Sequence, residues 1–474
     1  MVTRRGTRTF DSTPPYDRIA PPAGNPDKCY LLRMKPPRTL ASDYAERRAR
    51  VGARLPSDAV LALSGGTLHT RSNDTEHRFR PDSNFFYLTG LAEPGSVLLI
   101  RGGASPTSTL FVREKDRAAE VWSGRRPGPE GAKALTQVEE VHPLSALGAI
   151  LRELLDGVRE VHLPLQRDRG LHAQLLQASR EVARRDRSGA ISPTHLVDAD
   201  VIMGEDRLVK DAAAMASLRH AISLSALGHT EAAAHLRAGI YEYEVEARLE
   251  YAFRRSGSSG PGYGSIVGAG DNANILHYVE NAAMIGSDDL LLVDAGCEWE
   301  LFTGDITRCY PASGTFTAAQ RALYEIVLAA NIAGIQGSTV GSNINAIHER
   351  CLEVLVDGML SIGLLKGSRD SVLEREEYKR FYMHRTSHWL GADVHDVGSY
   401  SVDGAPRSLA AGHVLTVEPG IYVANDLDDV PEEFRGIGVR IEDDVWVTPE
   451  GPAVLSDAAP KTIAELEALV GSAL

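Results

Sequence analysis

Two aspartates stand where the sequence predicts a buried strand to end and the chain to turn back. Asp294 follows the apolar run LLLV at 290–293, and Asp305 follows in the next segment. A carboxylate at the end of a buried strand needs a partner. A hairpin centred between Trp299 and Glu300 would place the two aspartates opposite each other, with Cβ atoms about 5 Å apart. Because carboxylates that close repel unless a cation lies between them, the pair predicts a metal site.

Two glutamates occupy similar positions later in the chain. Glu418 follows an apolar strand predicted at 414–417 and precedes a Pro-Gly pair that stops the strand. Glu442 ends the segment VRIE at 439–442, whose alternation places it on the same face as Arg440. An arginine two residues away can orient a buried glutamate and keep it ionised.

These four acids and one histidine form a candidate set of metal ligands. Four carboxylates carry a charge of about −4, which two divalent ions would neutralise. An oxygen-rich set with one imidazole suits Mn²⁺, with Co²⁺ or Zn²⁺ as alternatives. Any one of these residues alone is more typical of a surface charge, a helix cap or a core histidine, so only their joint occurrence favours a metal centre. The set is Asp294, Asp305, His388, Glu418 and Glu442.

Three further histidines lie in the same segments. They are His277, His384 and His395. Histidine can donate or accept a hydrogen bond near neutral pH, which suits a group that holds a substrate or stabilises an oxyanion. His384 and His388 would share one face of a helix, but Gly391 and the strand-like surroundings favour a loop. Taken singly, each of the three is more often structural than catalytic.

The second half of the chain has helices in runs and strands in runs. Amphipathic helices are predicted at 209–227 and 241–255. A Gly- and Ser-rich cluster at 256–264 then ends the second helix and leads into a strand at 265–267. Further strands are predicted within 381–447. This order of elements predicts an α+β domain.

The first half alternates helices and strands, which predicts an α/β domain. Asp74 and Trp122 lie in polar loops of this half where a substrate could touch them, although most such residues are merely solvated. The chain is predicted to comprise an extension at 1–38, an α/β domain at 39–195 and an α+β domain at 196–474. The elements predicted in the first half are helices at 41–54, 144–155 and 171–185 and strands at 60–63, 85–88, 96–100 and 110–112.

Composition and charge narrow the class of protein. With 474 residues and 43% hydrophobic content, the chain can form two or more domains with proper cores. A net charge of −14 argues against nucleic acid or an anionic membrane as a partner. The four cysteines form no zinc motif and no disulfide framework, and no apolar run suits a signal peptide or a membrane span. A cytoplasmic, soluble protein is therefore expected.

Long motifs surround the candidate ligands in the second half of the chain, and further motifs occur in the first half. They resemble those of the pita-bread metallopeptidases with a creatinase-like N-terminal domain, and most closely the aminopeptidase P family. The resemblance covers residues from about 40 to about 470. In chain order the motifs are RSNDTEHRFRPDSNFFYLTG (71–90), EVWSGRR (120–126), IVGAG (266–270), ILHY (275–278), LLLVDAGCEW (290–299), GDITR (304–308), SHWLGADVHDVG (387–398), LTVEPGIY (415–422) and GIGVRIEDD (436–444).

The resemblance implies that the five candidate ligands bind two metal ions. Asp305 and Glu442 would bridge both ions, and Glu418 would also take the proton of the attacking water. Arg440 would support Glu442 from behind.

The resemblance also implies roles in substrate binding. His277 and His395 would hold the substrate and stabilise the tetrahedral intermediate, and His384 would shape a proline pocket. The family usually has glycine after this histidine, whereas this chain has Arg385-Thr386. The weaker candidates for substrate contact or gating are Tyr422, Arg407, Asp74 and Trp122.

The implied activity is hydrolysis of the bond between an N-terminal residue and a following proline. An Xaa-Pro dipeptidase would share every ligand and is the nearest alternative. A non-catalytic binding protein or a metal-free creatinase-type hydrolase is a different class, against which the intact ligand set speaks. The family also implies homodimers or homotetramers in which the first domain of one subunit borders the site of another.

Overall fold

The first half of the chain is organised by a mixed six-stranded sheet. A computed structural model describes residues 36–473, so the predicted extension at 1–38 lies almost entirely outside the described residues. The elements of this half are α1 (Ala41–Arg54), β1 (Ala59–Ser64), β2 (Thr70–Ser72), β3 (Thr75–Glu76), α2 (Ser83–Thr89), β4 (Val97–Arg101), β5 (Thr107–Val112), α3 (Arg117–Ser123), α4 (Gly128–Thr136), β6 (Glu140–Pro143), α5 (Leu147–Leu154), β7 (Glu160–Leu163), α6 (Arg169–Ala183) and β8 (His195–Asp198).

The sheet has the strand order β6-β5-β4-β1-β7-β8. Strand β1 pairs antiparallel with β4 and parallel with β7, and its residues are almost all buried because helices cover both faces. The α/β prediction for this half is therefore confirmed. The helix predicted at 41–54 has the bounds of α1.

One element of the first half was predicted wrongly. Residues 85–88 were expected to form a strand, but they lie in helix α2. The side chain of Asp82 accepts a hydrogen bond from the backbone N–H of Phe85 and so caps the start of the helix. Gly90 ends it in the left-handed conformation, with φ 65°. These two caps outweigh the strand preference of the aromatic run.

The second half combines helices with several small antiparallel sheets, which confirms the α+β prediction. The sheets are β10-β11-β14, β13-β12-β9, β17-β20-β21 and β18-β19. The elements are α7 (Ala199–Leu208), α8 (Ala212–Ala234), α9 (Glu242–Arg255), β9 (Gly260–Pro261), β10 (Ile266–Ala269), β11 (Leu290–Asp294), β12 (Cys297–Trp299), β13 (Phe302–Thr303), β14 (Thr307–Pro311), α10 (Ala318–Gly337), α11 (Ile344–Ser361), α12 (Arg369–Glu374), β15 (Ser401–Val402), β16 (Ala405–Pro406), β17 (Val414–Val417), β18 (Gly420–Val423), β19 (Ile437–Arg440), β20 (Asp443–Thr448), β21 (Gly451–Val454) and α13 (Ile463–Leu469).

The predicted register of the central hairpin is wrong. Asp294 pairs with Thr307 across strands β11 and β14, so it does not lie opposite Asp305. The tip of the hairpin is formed by Glu300 and Leu301, which adopt left-handed conformations with φ 49° and 66°. The centre of the hairpin therefore falls one residue later than predicted, and the partner of every position moves by two.

No helix in the described part of the chain, residues 36–473, is long and apolar enough to cross a membrane.

Candidate metal centre and substrate cavity

All five predicted ligands line one cavity of about 420 Å³ in the second half of the chain. Each of the four acidic ligands lies at or just beyond the end of a buried strand, where the chain turns. Asp294 ends β11, Asp305 separates β13 from β14, Glu418 separates β17 from β18, and Glu442 separates β19 from β20. His388 lies in the loop before β17, as predicted, and not on a helix.

The ligand atoms of three residues approach one another closely. One atom from each of Asp305, His388 and Glu442 lies within 4.8 Å of the other two. His388 Nε2 is 3.3 Å from Asp305 Oδ2 and 3.5 Å from Glu418 Oε1. His388 Nδ1 is 3.0 Å from the carbonyl oxygen of Trp389, which only accepts, so Nδ1 carries a proton there. Nε2 therefore faces the acids, which is the orientation of a metal-binding imidazole.

The electrostatics of this cluster fit a cation. Burial, together with the neighbouring acids, raises the pKa of Asp305 and that of Glu442, and it raises the pKa of Glu418 to about 7. Although burial alone would lower it, Asp305 and Glu418 raise the pKa of His388 to about 9. The carboxylates thus create a negative potential in the space between them and His388 Nε2. Divalent ions at that point would relieve the repulsion, so the donor set fits the metals that the resemblance implies.

Tyr263, which the sequence does not predict as a site residue, connects the two aspartates. Its hydroxyl oxygen is 2.7 Å from Asp294 Oδ1 and 2.6 Å from Asp305 Oδ1. Burial and the nearby acids raise the pKa of Tyr263 well above its usual value, so the phenol stays protonated. The sequence marks Tyr263 only as an aromatic residue within the Gly- and Ser-rich cluster at 256–264. That cluster predicts the end of a helix and not a binding site.

Arg440 contacts Asp294 directly and Glu442 through Thr307. Its Nη2 donates to Asp294 Oδ2 at 2.6 Å, and its Nη1 donates to the hydroxyl of Tyr422 at 3.0 Å. Arg440 reaches Glu442 only through Thr307, whose hydroxyl accepts from Arg440 Nε at 3.1 Å and donates to Glu442 Oε2 at 2.7 Å. Thr307, which pairs with Asp294 across the sheet, thus links Arg440 to Glu442 only.

The three predicted histidines also line the cavity. His277 and His395 are exposed at its surface, and the ring of His395 lies edge-on to that of His388 with 4.5 Å between centroids. His384 Nδ1 is 2.8 Å from the carbonyl oxygen of Arg385, and its Nε2 is 2.8 Å from the Tyr422 hydroxyl. Nδ1 must therefore donate and Nε2 must accept. With both ring nitrogens engaged, His384 forms a fixed wall of the cavity.

Three weaker candidates do not line the cavity of this chain. Asp74 and Trp122 are exposed in the first half, and Trp122 is 91% exposed on α3. Arg407 pairs with Glu205 and donates to the carbonyl oxygen of Ser399. The fourth weaker candidate, Tyr422, is buried behind His384.

Comparison with known sequences places both halves of the chain. Residues 216–449 match the family described as metallopeptidase family M24, and residues 44–162 match the aminopeptidase P N-terminal domain. The fold and the site thus define a metallopeptidase of family M24.

Similar proteins narrow the family further. The chain is 38% identical to the Xaa-Pro aminopeptidases of Haemophilus influenzae and Escherichia coli, over 90% of this chain and 97% of each relative. The solved structure of Pseudomonas aeruginosa aminopeptidase PepP matches with a TM-score of 0.89 and 42% identity, over 92% of this chain and 99% of that one. Zinc-substituted E. coli aminopeptidase P, in complex with product, matches with a TM-score of 0.88 and 36% identity, over 91% and 98%. The chain belongs to the aminopeptidase P family.

Proposed function

We propose that this protein is a metal-dependent aminopeptidase that hydrolyses the bond between an N-terminal residue and a following proline. The observation that carries this function is the convergence of four acids and four histidines in one cavity of a chain that belongs to the aminopeptidase P family. The relatives that match over 97% of their own length are named Xaa-Pro aminopeptidases, and the dipeptidase alternative is not favoured.

We further propose that the five ligands hold two divalent ions, with Mn²⁺ as the first candidate and Co²⁺ or Zn²⁺ as alternatives. Asp305, His388 and Glu442, whose ligand atoms lie within 4.8 Å of one another, would form the centre of this ligand set. Bound ions would polarise the scissile carbonyl and lower the pKa of the attacking water.

The side chains around the ligands would orient the substrate and move its protons. Glu418 would accept a proton from the attacking water and deliver it to the proline nitrogen. Partial desolvation at the cavity rim lowers the pKa of His395, so its neutral ring keeps one N–H to donate to the developing oxyanion. His277 would donate from the same exposed rim. His384, held by Tyr422, would limit the space for the proline ring.

We also propose that the protein is cytoplasmic and forms homodimers or homotetramers. The support for an oligomer is that Asp74 and Trp122 are exposed and do not line their own cavity, as expected of residues that border a partner subunit's site. The proposed domains are residues 39–195 and 196–474, and the two family matches fall within them.

Metal content and peptide hydrolysis, measured on the same sample, test the function. We expect the protein with Mn²⁺ to release the N-terminal residue from peptides that have proline in second place, and to prefer longer peptides to dipeptides. Asp305→Asn should lose bound metal and lower activity by roughly a hundredfold or more, because a ligand is lost. Asp288→Asn, which changes an exposed aspartate just before β11, is the matched control and should retain both.

Two results would contradict the proposal. A metal-loaded sample that released no N-terminal residue would exclude the aminopeptidase, and a preference for dipeptides would favour the dipeptidase.

A further inference from the structure

Arg385 is a cation that the fold leaves without an acidic partner. It follows His384 in the loop that leads to His388, and it is exposed. Within the described residues its guanidinium makes no hydrogen bond or ion pair with a carboxylate. Other basic side chains nearby are engaged, since Lys379 pairs with Glu376 and Arg380 with Asp429. The charge of Arg385 is therefore available to a ligand.

Arg385 lines three neighbouring cavities, one of which is also lined by Glu349 and Glu376. It lines the cavity that holds the five metal ligands and also a neighbouring cavity of about 370 Å³. A peptide whose N-terminal residue and proline occupy the first cavity could continue past Arg385 into the second. The second cavity is lined by Ile344, Asn345, Arg385, Ser387, Tyr400 and Pro406.

The second cavity has the features of an anion site. Ser387 is 5% exposed, and its hydroxyl oxygen is buried with no hydrogen-bond partner among residues 36–473. A buried hydroxyl of this kind is normally satisfied by a partner or a ligand. Helix α11 begins at Ile344, so the positive end of its dipole faces the cavity. The lining residues include no acid.

We propose that Arg385, with Ser387, binds a carboxylate of the substrate on the C-terminal side of its proline. This inference rests on the proposed function and names the substrate class. The carboxylate is either the chain end of a tripeptide or an acidic side chain in third position. A guanidinium can form two parallel hydrogen bonds to a carboxylate, which gives both affinity and orientation. Where the family usually has glycine, this chain thus has a residue that selects substrates.

The first test compares Ala-Pro-Ala with its C-terminal amide, using protein loaded with Mn²⁺. We expect the free acid to have a roughly tenfold higher kcat/KM, mostly through a lower KM, because one charge-assisted contact is lost in the amide. Arg385→Gln should bring the ratio of the two substrates close to one. Arg385→Lys should keep most of the preference, and Arg385→Glu should reverse it.

A second peptide pair separates the two sources of the carboxylate. If the protein prefers Ala-Pro-Asp-amide to Ala-Pro-Asn-amide, Arg385 binds an acidic side chain in third position. If it shows no such preference but still prefers the free acid of Ala-Pro-Ala, Arg385 binds the C-terminal carboxylate. Arg375→Gln is the matched control because Arg375 is an exposed arginine at the end of α12 that lines neither cavity, and it should leave both ratios unchanged.

If the wild-type protein hydrolysed both members of each pair equally, the proposed carboxylate subsite would be excluded, but the proposed aminopeptidase activity would not. An unchanged ratio in Arg385→Gln would also exclude the subsite. Hydrolysis of none of the four peptides by metal-loaded protein would instead contradict the proposed function.

Discussion

The phenol of Tyr263 is within hydrogen-bonding distance of two carboxylates but has one proton to donate. Asp294 and Asp305 come from different strands, and the hydroxyl brings one oxygen of each to the same point. Of the two remaining oxygens, Asp294 Oδ2 accepts from Arg440 and Asp305 Oδ2 lies 3.3 Å from His388 Nε2. Tyr263 therefore acts as a positioning residue for the proposed metal ligands.

Removal of this hydroxyl should weaken metal binding. We expect Tyr263→Phe to lower the affinity for Mn²⁺ by roughly 10- to 100-fold, because the two aspartates lose the donor that orients them. Titration of the metal-free protein, in competition with a chelator, measures this. Tyr251→Phe, at an exposed position of α9, is the control and should bind metal like the wild type. Equal affinities for all three proteins would exclude the positioning role.

At the scale of residues, the sequence alone is sufficient to single out a side chain when its immediate neighbours in the sequence make it unusual. Each proposed ligand acid interrupts or ends an apolar run, and that contrast can be read from neighbouring residues alone. The role of Thr307 depends instead on contacts with Arg440 and Glu442, which are more than a hundred residues away. The ion pair of Arg407 with Glu205 of α7 likewise joins residues that are far apart in the sequence.

At the scale of elements, two strands approach closely at a pair of glycines. A Cβ atom added to Gly296 would lie 1.7 Å from the carbonyl oxygen of Gly304. Gly296 follows β11 and Gly304 follows β13, so this contact joins the segments that carry Asp294 and Asp305. The close approach brings the two acids together although they are not opposite each other in the sheet.

A methyl group at this contact should be poorly tolerated. We expect Gly296→Ala to reduce the free energy of unfolding by about 2 kcal/mol or more, because the backbone at Gly304 must move, and to reduce metal binding as well. Urea denaturation measures the first effect. Gly148→Ala provides the control, because a Cβ at Gly148 in α5 meets no atom within 4 Å and alanine favours the helix. Equal stability of the two variants would refute the packing argument.

Most helices and strands could be predicted because their apolar periodicity reflects burial. Helix α1 and strand β1 are examples. The errors fell where short-range backbone conformation decides the outcome. The tip of the central hairpin uses Glu300 and Leu301 in left-handed conformations, for which glycine or asparagine would have been the signal. Helix α2 was predicted as a strand because its aromatic residues favour a strand, whereas the caps at Asp82 and Gly90 decide for a helix.

At the scale of the whole molecule, a buried ionic network connects the first half of the chain to the loop that carries His395. Arg207 of α7 donates to Asn84 of α2 at 2.6 Å and pairs with Asp396, and Lys210 also pairs with Asp396 at 2.8 Å. Asp396 is next to His395 in sequence. Although burial alone would raise it, the charges of Arg207 and Lys210 hold the pKa of Asp396 below its usual value.

Because of this network, the free energy of unfolding should depend on the side chain of Asp396 and on pH. We expect Asp396→Asn to lower the free energy of unfolding at pH 7 by about 3 kcal/mol or more, because buried Lys210 loses its acidic partner and buried Arg207 keeps only Asp393. The pKa of Asp396 is lower in the folded state than in the unfolded state. The carboxylate therefore contributes its full stabilisation above the pKa of the unfolded state, about 4, and this stabilisation is lost as the pH falls through the pKa of the folded state. The difference between wild type and variant in urea denaturation should therefore shrink below about pH 4. Asp457→Asn, at an exposed position, should follow the wild type at every pH. A difference that stays constant down to pH 2 would show that the charge of Asp396 does not stabilise this junction.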